Sequence, residues 1–271
     1  MVKRLLAIAF LCCISSIVSA QGGASDTLIQ EVLELSGAKQ QIAQLTEIME
    51  QQLARQRSSM KSKDFALVDS ILYDAYDPDT LYQIVVDYFK ESYDEKQCTS
   101  LLDWLRTPLS QTLSTLEIQA STPDGQEDME VYARDLQYKS AAQARIDVVH
   151  QLDNAIHATE LVLKILTNTF RELMLAITPV LSSEKRVNEG ELQLLTEQMR
   201  SELEPTIKEA TKVSFLFTYR SVSADELRRY IRFYESETGQ WFSRVSSEGL
   251  IRALTHAIRK AGREIAERFT K

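Results

Sequence analysis

The sequence predicts an all-α protein, an antiparallel helical bundle built from two related multi-helix repeats. Three observations carry that expectation. Eight glycines and five prolines in 271 residues supply few turn-formers for an all-β fold. Apolar residues recur at helical spacing along nearly the whole chain. The hydrophobic pattern of residues 84–113 also returns at 213–242 under a constant shift of 129 positions.

The elements follow in order. Residues 1–20 read as a signal peptide: Lys3 and Arg4 precede an apolar run from Leu5 to Val18, and Val18-Ser19-Ala20 places small residues at −3 and −1 of a cut before Gln21. The run is too short to span a bilayer, so the chain is expected to be exported, and periplasmic in a Gram-negative host. Leu28, Val32 and Leu35 form the first helical face, opened by a Thr27-x-x-Gln30 capping box and stopped at Gly37. Ile42, Leu45, Met49 and Leu53 form the next. Asp77-Pro78 supplies an N-cap followed by proline at the first helical position, with Ile84, Val85, Tyr88 and Phe89 as the apolar face behind it. Thr122-Pro123-Asp124-Gly125 reads as a turn and divides the chain into units 21–122 and 123–271. From there to Ile177 the pattern suggests one long helix or two in series, ended by Pro179. Residues 182–190 read as loop, and helices resume at Glu191.

The last segments are the most explicit. Ser223 and Glu226 make a capping box, and Leu227, Tyr230, Ile231 and Tyr234 a stripe at i, i+3, i+4 and i+7. Ser236 caps a second helix, Gly239 allows a close approach, and Trp241 and Phe242 are expected in the core. The stretch Arg232–Phe242 is thus an elbow between two helices. The repeat supports this: Leu101 falls on Tyr230, Trp104 on Phe233, Thr107 on Ser236 and Ser110 on Gly239, so apolar and small positions recur while identities do not. A shift of 128 likewise lays Ile42, Leu45, Met49 and Leu53 onto Phe170, Leu173, Ile177 and Leu181. Leu250, Leu254, Ile258, Ala261, Ile265 and Phe269 continue as an apolar seam flanked by arginines.

Leu227, Phe233-Tyr234, Ser236 and Gly239 resemble the core motif of the exported bacterial family catalogued as domain of unknown function 2059. The resemblance spans roughly residues 205–265, with 84–118 as a diverged copy. Glu237 stands where the family often has proline, which Pro108 keeps. The resemblance implies a helical fold and a signal peptide, and no catalytic residues.

Composition narrows the function further. The formal charge is −8, becoming −10 once Lys3 and Arg4 leave with the leader. Residues 220–271 carry +4, the remainder −14, so nucleic acid is not an expected partner. Cys12 and Cys13 leave with the leader, and Cys98 reads as a small buried hydrophobe. Glu235 and Glu237 flank a helix junction and read as solvated charge, not as an acid–base pair. His150, Asp153, His157 and Glu160, spaced 3, 4 and 3, fall along one side of a helix and are the only candidate metal ligands; a second Glu-x-x-His element is absent. Nucleophile, phosphate-loop and dinucleotide motifs are missing too. The expected protein is a non-enzymatic interaction or scaffold module without cofactor, whose partner is an envelope protein or a second copy. The alternatives are metal binding through the histidine stripe and membrane-surface binding through the basic C-terminal helix.

Overall fold

A computed structural model describes residues 23, 25–59, 61–178 and 186–269. The predicted leader, Pro179, Leu181 and residues 182–185 of the 182–190 loop lie outside the described residues. All regular structure among the described residues is helical, with no strand. No described helix is long and apolar enough to cross a membrane.

The first helix, α1 (25–35), begins before Thr27. Thr27 therefore does not cap it; its hydroxyl donates to the Gly23 carbonyl one turn back, at 2.9 Å. Gly37, at φ 74°, stops α1 and opens α2 (Ala38–Arg55). A further helix, α3 (Ser62–Ala75), stands where the sequence reading named no element, and buries Ile71 and Ala75. In α4 (Pro78–Glu91) the Asp77 carboxylate accepts from Thr80 N at 2.8 Å, with Pro78 in the first turn as predicted. Its inward face is Leu81, Val85 and Phe89. Helix α5 (Glu95–Leu105) seals Cys98 away from solvent, and burial pushes the thiol above its ordinary range, so Cys98 acts as a small core side chain.

Helices α6 (Pro108–Ser121) and α7 (Pro123–Leu136) meet at Thr122. The segment read as a turn is thus a joint that starts a helix. Beyond it stand three helices instead of one or two: α7, α8 (Gln143–Ile156) and α9 (Ala158–Ile177). The break between α8 and α9 is a single residue, His157, in the left-handed conformation at φ 61°. Helix α10 (Glu189–Thr218) starts two residues before the expected Glu191, because Asn188 and Glu191 form a reciprocal capping box. Helices α11 (Ala224–Glu235) and α12 (Glu237–Phe269) complete the chain.

Two hydrophobic clusters hold these helices. One joins side chains of α1–α5 to Trp241, Val245, Ala253, Ala257 and Ala261 of α12. The other joins Leu109, Leu113, Val148 and Leu152 to Tyr219, Val222, Leu227, Tyr230, Ile231 and Tyr234. The line of α12 that is buried deepest runs through Ala253, Ala257 and Ala261, so Ala261 of the predicted seam lies on it while Leu250, Leu254, Ile258 and Ile265 are only partly buried. Leu254, Ile258 and Ile265 pack along its flanks. Small residues at every fourth position bring α12 close to its neighbours, where larger ones would hold them apart.

Candidate functional site

The junction of α11 and α12 is built from the residues that the sequence singled out. Ser223 Oγ accepts from Glu226 N at 3.3 Å, and Glu226 accepts from Ser223 N at 2.9 Å, closing the capping box. Leu227, Tyr230, Ile231 and Tyr234 are all buried on one face of α11. Ser236 ends α11 and starts α12, its Oγ accepting from Gly239 N at 3.1 Å. Phe233 stacks on Trp104 with ring centroids 4.6 Å apart, and Trp241 meets Phe89 edge-on at 6.3 Å. Glu235 is exposed, while Glu237 reaches Lys96 at 3.4 Å and Gln97 at 3.0 Å. These two carboxylates point to different surroundings and form no pair.

The same joint occurs at α5–α6 and α6–α7. Thr107 and Thr122 accept from Ser110 N and Gly125 N, as Ser236 does from Gly239 N. The next residue is glutamine each time, and its amide turns back to a carbonyl of the preceding helix: Gln111 to Leu105, Gln126 to Ala120, Gln240 to Glu235. A hydroxyl cap, a small residue three places on and a glutamine after it thus satisfy backbone groups that a helix–helix bend would strand. The predicted elbow is a general device of this chain.

Above the elbow lies a feature that the sequence reading missed. Glu117 of α6 projects among three tyrosines. Tyr219 and Tyr230 each donate to its Oε1 at 2.7 Å. Tyr230 has spent its one proton, so Tyr234, 3.4 Å from it, donates to Tyr230. Two clefts, of about 220 and 260 Å³, open beside this cluster and share Gln41, Glu117, Ile156, Tyr230 and Tyr234. Glu117 is half-buried, and the surface that it keeps faces these clefts. Burial pushes its carboxyl above the ordinary value, against the lowering effect of the two phenol hydrogen bonds. Burial also pushes the phenols of Tyr219, Tyr230 and Tyr234 upward. One sign of Glu117 was readable: Leu109, Leu113 and Glu117 are spaced by four, so the charge interrupts an apolar stripe.

The upward shift has a measurable consequence. Folded Glu117 keeps its proton at a pH where the unfolded chain, near the ordinary 4.5, has released it. Its contribution is neutral below that value, turns unfavourable as pH rises, and is fully unfavourable above the folded-state value. Glu117→Gln removes the titration while keeping the shape. The difference in Tm between variant and native chain is expected to move in the variant's favour from about pH 4 to about pH 8. A difference that stays flat across that range contradicts the assignment.

Two of the four candidate metal ligands, Asp153 and Glu160, have other partners. The chain bends at His157, so His150 and Asp153 lie on α8 and Glu160 on α9, and the stripe along one helix does not form. Asp153 caps α9, accepting from Thr159 N at 2.8 Å and from its hydroxyl at 2.6 Å. Glu160 pairs with Arg200 of α10. Among the described residues, no three His, Cys, Asp or Glu side chains are grouped to hold a metal ion. The expected single-helix stripe is interrupted because His157, in the left-handed conformation, ends α8 and begins α9.

No protein-family model, curated protein or solved structure matches this chain.

Proposed function

We propose that this chain is an exported, non-enzymatic helical protein that acts through its surfaces as an interaction or scaffold module of the cell envelope, periplasmic in a Gram-negative host. In this reading it consists of two related multi-helix repeats in an antiparallel bundle and belongs with the family catalogued as domain of unknown function 2059. The repeat is supported by the shared capping at Thr107 and Ser236, and by Trp104 and Phe233, matched under the shift of 129, stacking on each other.

One observation carries the interaction reading. Val162, Leu173 and Leu175 of α9 and Leu194 and Leu195 of α10 are exposed, Leu194 to 65 %. The two helices lie side by side in opposite directions, since Arg171 pairs with Glu189 and Arg200 with Glu160. These exposed large aliphatics, carried by one antiparallel helix pair, are the surface that a partner would cover. The partner is another envelope protein or a second copy of the chain.

The test is a double variant, Leu194→Glu with Leu195→Glu, which touches neither hydrophobic cluster. The native chain is expected to self-associate in sedimentation or to retain a defined partner from envelope extract, and the variant to lose this while keeping its helicity and Tm. If native and variant chains behave alike in both measurements, the α9–α10 surface is not the working one.

A further inference from the structure

Glu117 is the only charged residue lining either of the two clefts, among the described residues. Both phenols bond to Oε1, and among the described residues no hydrogen bond or ion pair reaches Oε2. The cation on the neighbouring α8, Arg145, is committed elsewhere: it donates to the carbonyls of Tyr219 and Val222. A half-buried carboxylate without a countercharge is a costly arrangement, which a bound cation relieves.

The surroundings specify which cation. Trp104, Phe233, Tyr234 and Phe242 line the 220 Å³ cleft, and aromatic rings attract cations. A divalent metal ion prefers several carboxylates among its oxygen ligands; this cleft offers one carboxylate, with neutral serine hydroxyls and aromatic rings around it, a lining that suits a single positive charge carrying apolar substituents. Ser246, on the α12 wall of the same cleft, has a buried Oγ with no hydrogen-bond partner. It supplies an acceptor for a second N–H.

We propose that the cleft takes a small monovalent organic ammonium ion, its nitrogen at Glu117 Oε2 and Ser246 Oγ, its carbon substituents against Trp104, Phe233 and Phe242. The ion provides the countercharge that no described residue lining the clefts supplies. Leu194 and Leu195 line neither cleft, so this inference does not depend on the interaction reading.

Binding follows the ionisation of Glu117. The other titratable groups facing it, Tyr219, Tyr230 and Tyr234, are phenols held neutral by burial, while Gln41 of α2 and Ile156 of α8 bring no charge. Affinity is therefore expected to rise with pH through the titration of one carboxyl.

The experiment is calorimetric titration of the full chain with n-butylammonium chloride at constant ionic strength, with sodium chloride as the control. Saturable one-site binding is expected for butylammonium and none for sodium, with affinity falling at least tenfold in Glu117→Gln and on acidification to about pH 4. Ser246→Val removes the hydroxyl acceptor without touching Glu117; it is expected to weaken binding tenfold as well, and it decides the matter should Glu117→Gln not fold. Absence of saturable butylammonium binding at neutral pH, or equal affinity in folded Glu117→Gln, overturns the proposal. Association through α9–α10 is read separately with the Leu194 and Leu195 variant, so either idea can fail alone.

Discussion

Gly239→Ala is expected to cost about 3 kcal/mol of stability, the range found when atoms are forced into a packed interior. The reason lies in backbone, not in side chains that can turn aside. A Cβ on Gly239 would sit 2.0 Å from the Phe233 carbonyl oxygen and 2.6 Å from Tyr234 Cα. The carbonyl belongs to the last turn of α11, so relief requires the α11–α12 elbow to open. Opening it moves Trp241 away from Phe89 and Tyr234 away from its buried contacts, and so loosens both hydrophobic clusters. For a chain of this length, such a loss lowers Tm on the order of 10 °C. Gly125→Ala is expected to behave alike, since its Cβ would meet the Gln119 carbonyl oxygen at 2.1 Å. Gly249→Ala is the control. There the nearest atom is Tyr88 Cδ1 at 3.5 Å, an ordinary contact, and replacing a mid-helix glycine adds up to about 1 kcal/mol. Equal Tm values for Gly239→Ala and Gly249→Ala in thermal unfolding would show that the elbow is not under backbone constraint.

The elbow was legible because its signals are local. Ser236 and Gly239, Ser223 and Glu226, and Asp77 and Pro78 each act within one helical turn, where residue type nearly dictates geometry. Thr27 shows the limit of such signals. It has the right spacing to Gln30, yet α1 begins upstream and the hydroxyl bonds backward instead. What escaped the sequence depends on contacts between distant segments. Glu117 meets residues more than a hundred positions away, and no local pattern says that tyrosines will gather around it. The break at His157 is similar: a histidine in the left-handed region is uncommon, and nothing nearby in sequence announces it. In α12 the larger aliphatics suggested the inward face, while close approach of neighbouring helices favoured the alanines beside them. Hydrophobic size marks a core stripe well only when the neighbour's distance is known.

A chain ending at Ser247 is expected to lose cooperative folding altogether. The cut removes Ala253, Ala257 and Ala261, each nearly or fully buried, with Leu254, Ile258 and Ile265 packed beside them. It also removes Arg259, which grips the buried Glu172 carboxylate at 2.6 and 2.9 Å and holds it below its ordinary range. Burial of each aliphatic side chain contributes roughly 1–3 kcal/mol, and leaving a buried carboxylate unpaired costs about 3 kcal/mol. Together these are comparable with the roughly 5–15 kcal/mol by which a protein is stable. The damage is not confined to the C-terminal unit, because α12 packs against α3, α4, α5 and α9 alike. Helices α1 to α5 bury their largest cluster around α12, so residues 21–122 expressed alone lack the surface on which that cluster closes. The expected result for both fragments is a broad thermal transition and loss of the near-ultraviolet signal of Trp104 or Trp241, with helicity partly retained. Mixing the two fragments would not rescue them, since residues 248–269 are missing from both. A sharp, native-like transition in the chain ending at Ser247 would mean that α12 is an appendage and that the fold is held by the first eleven helices.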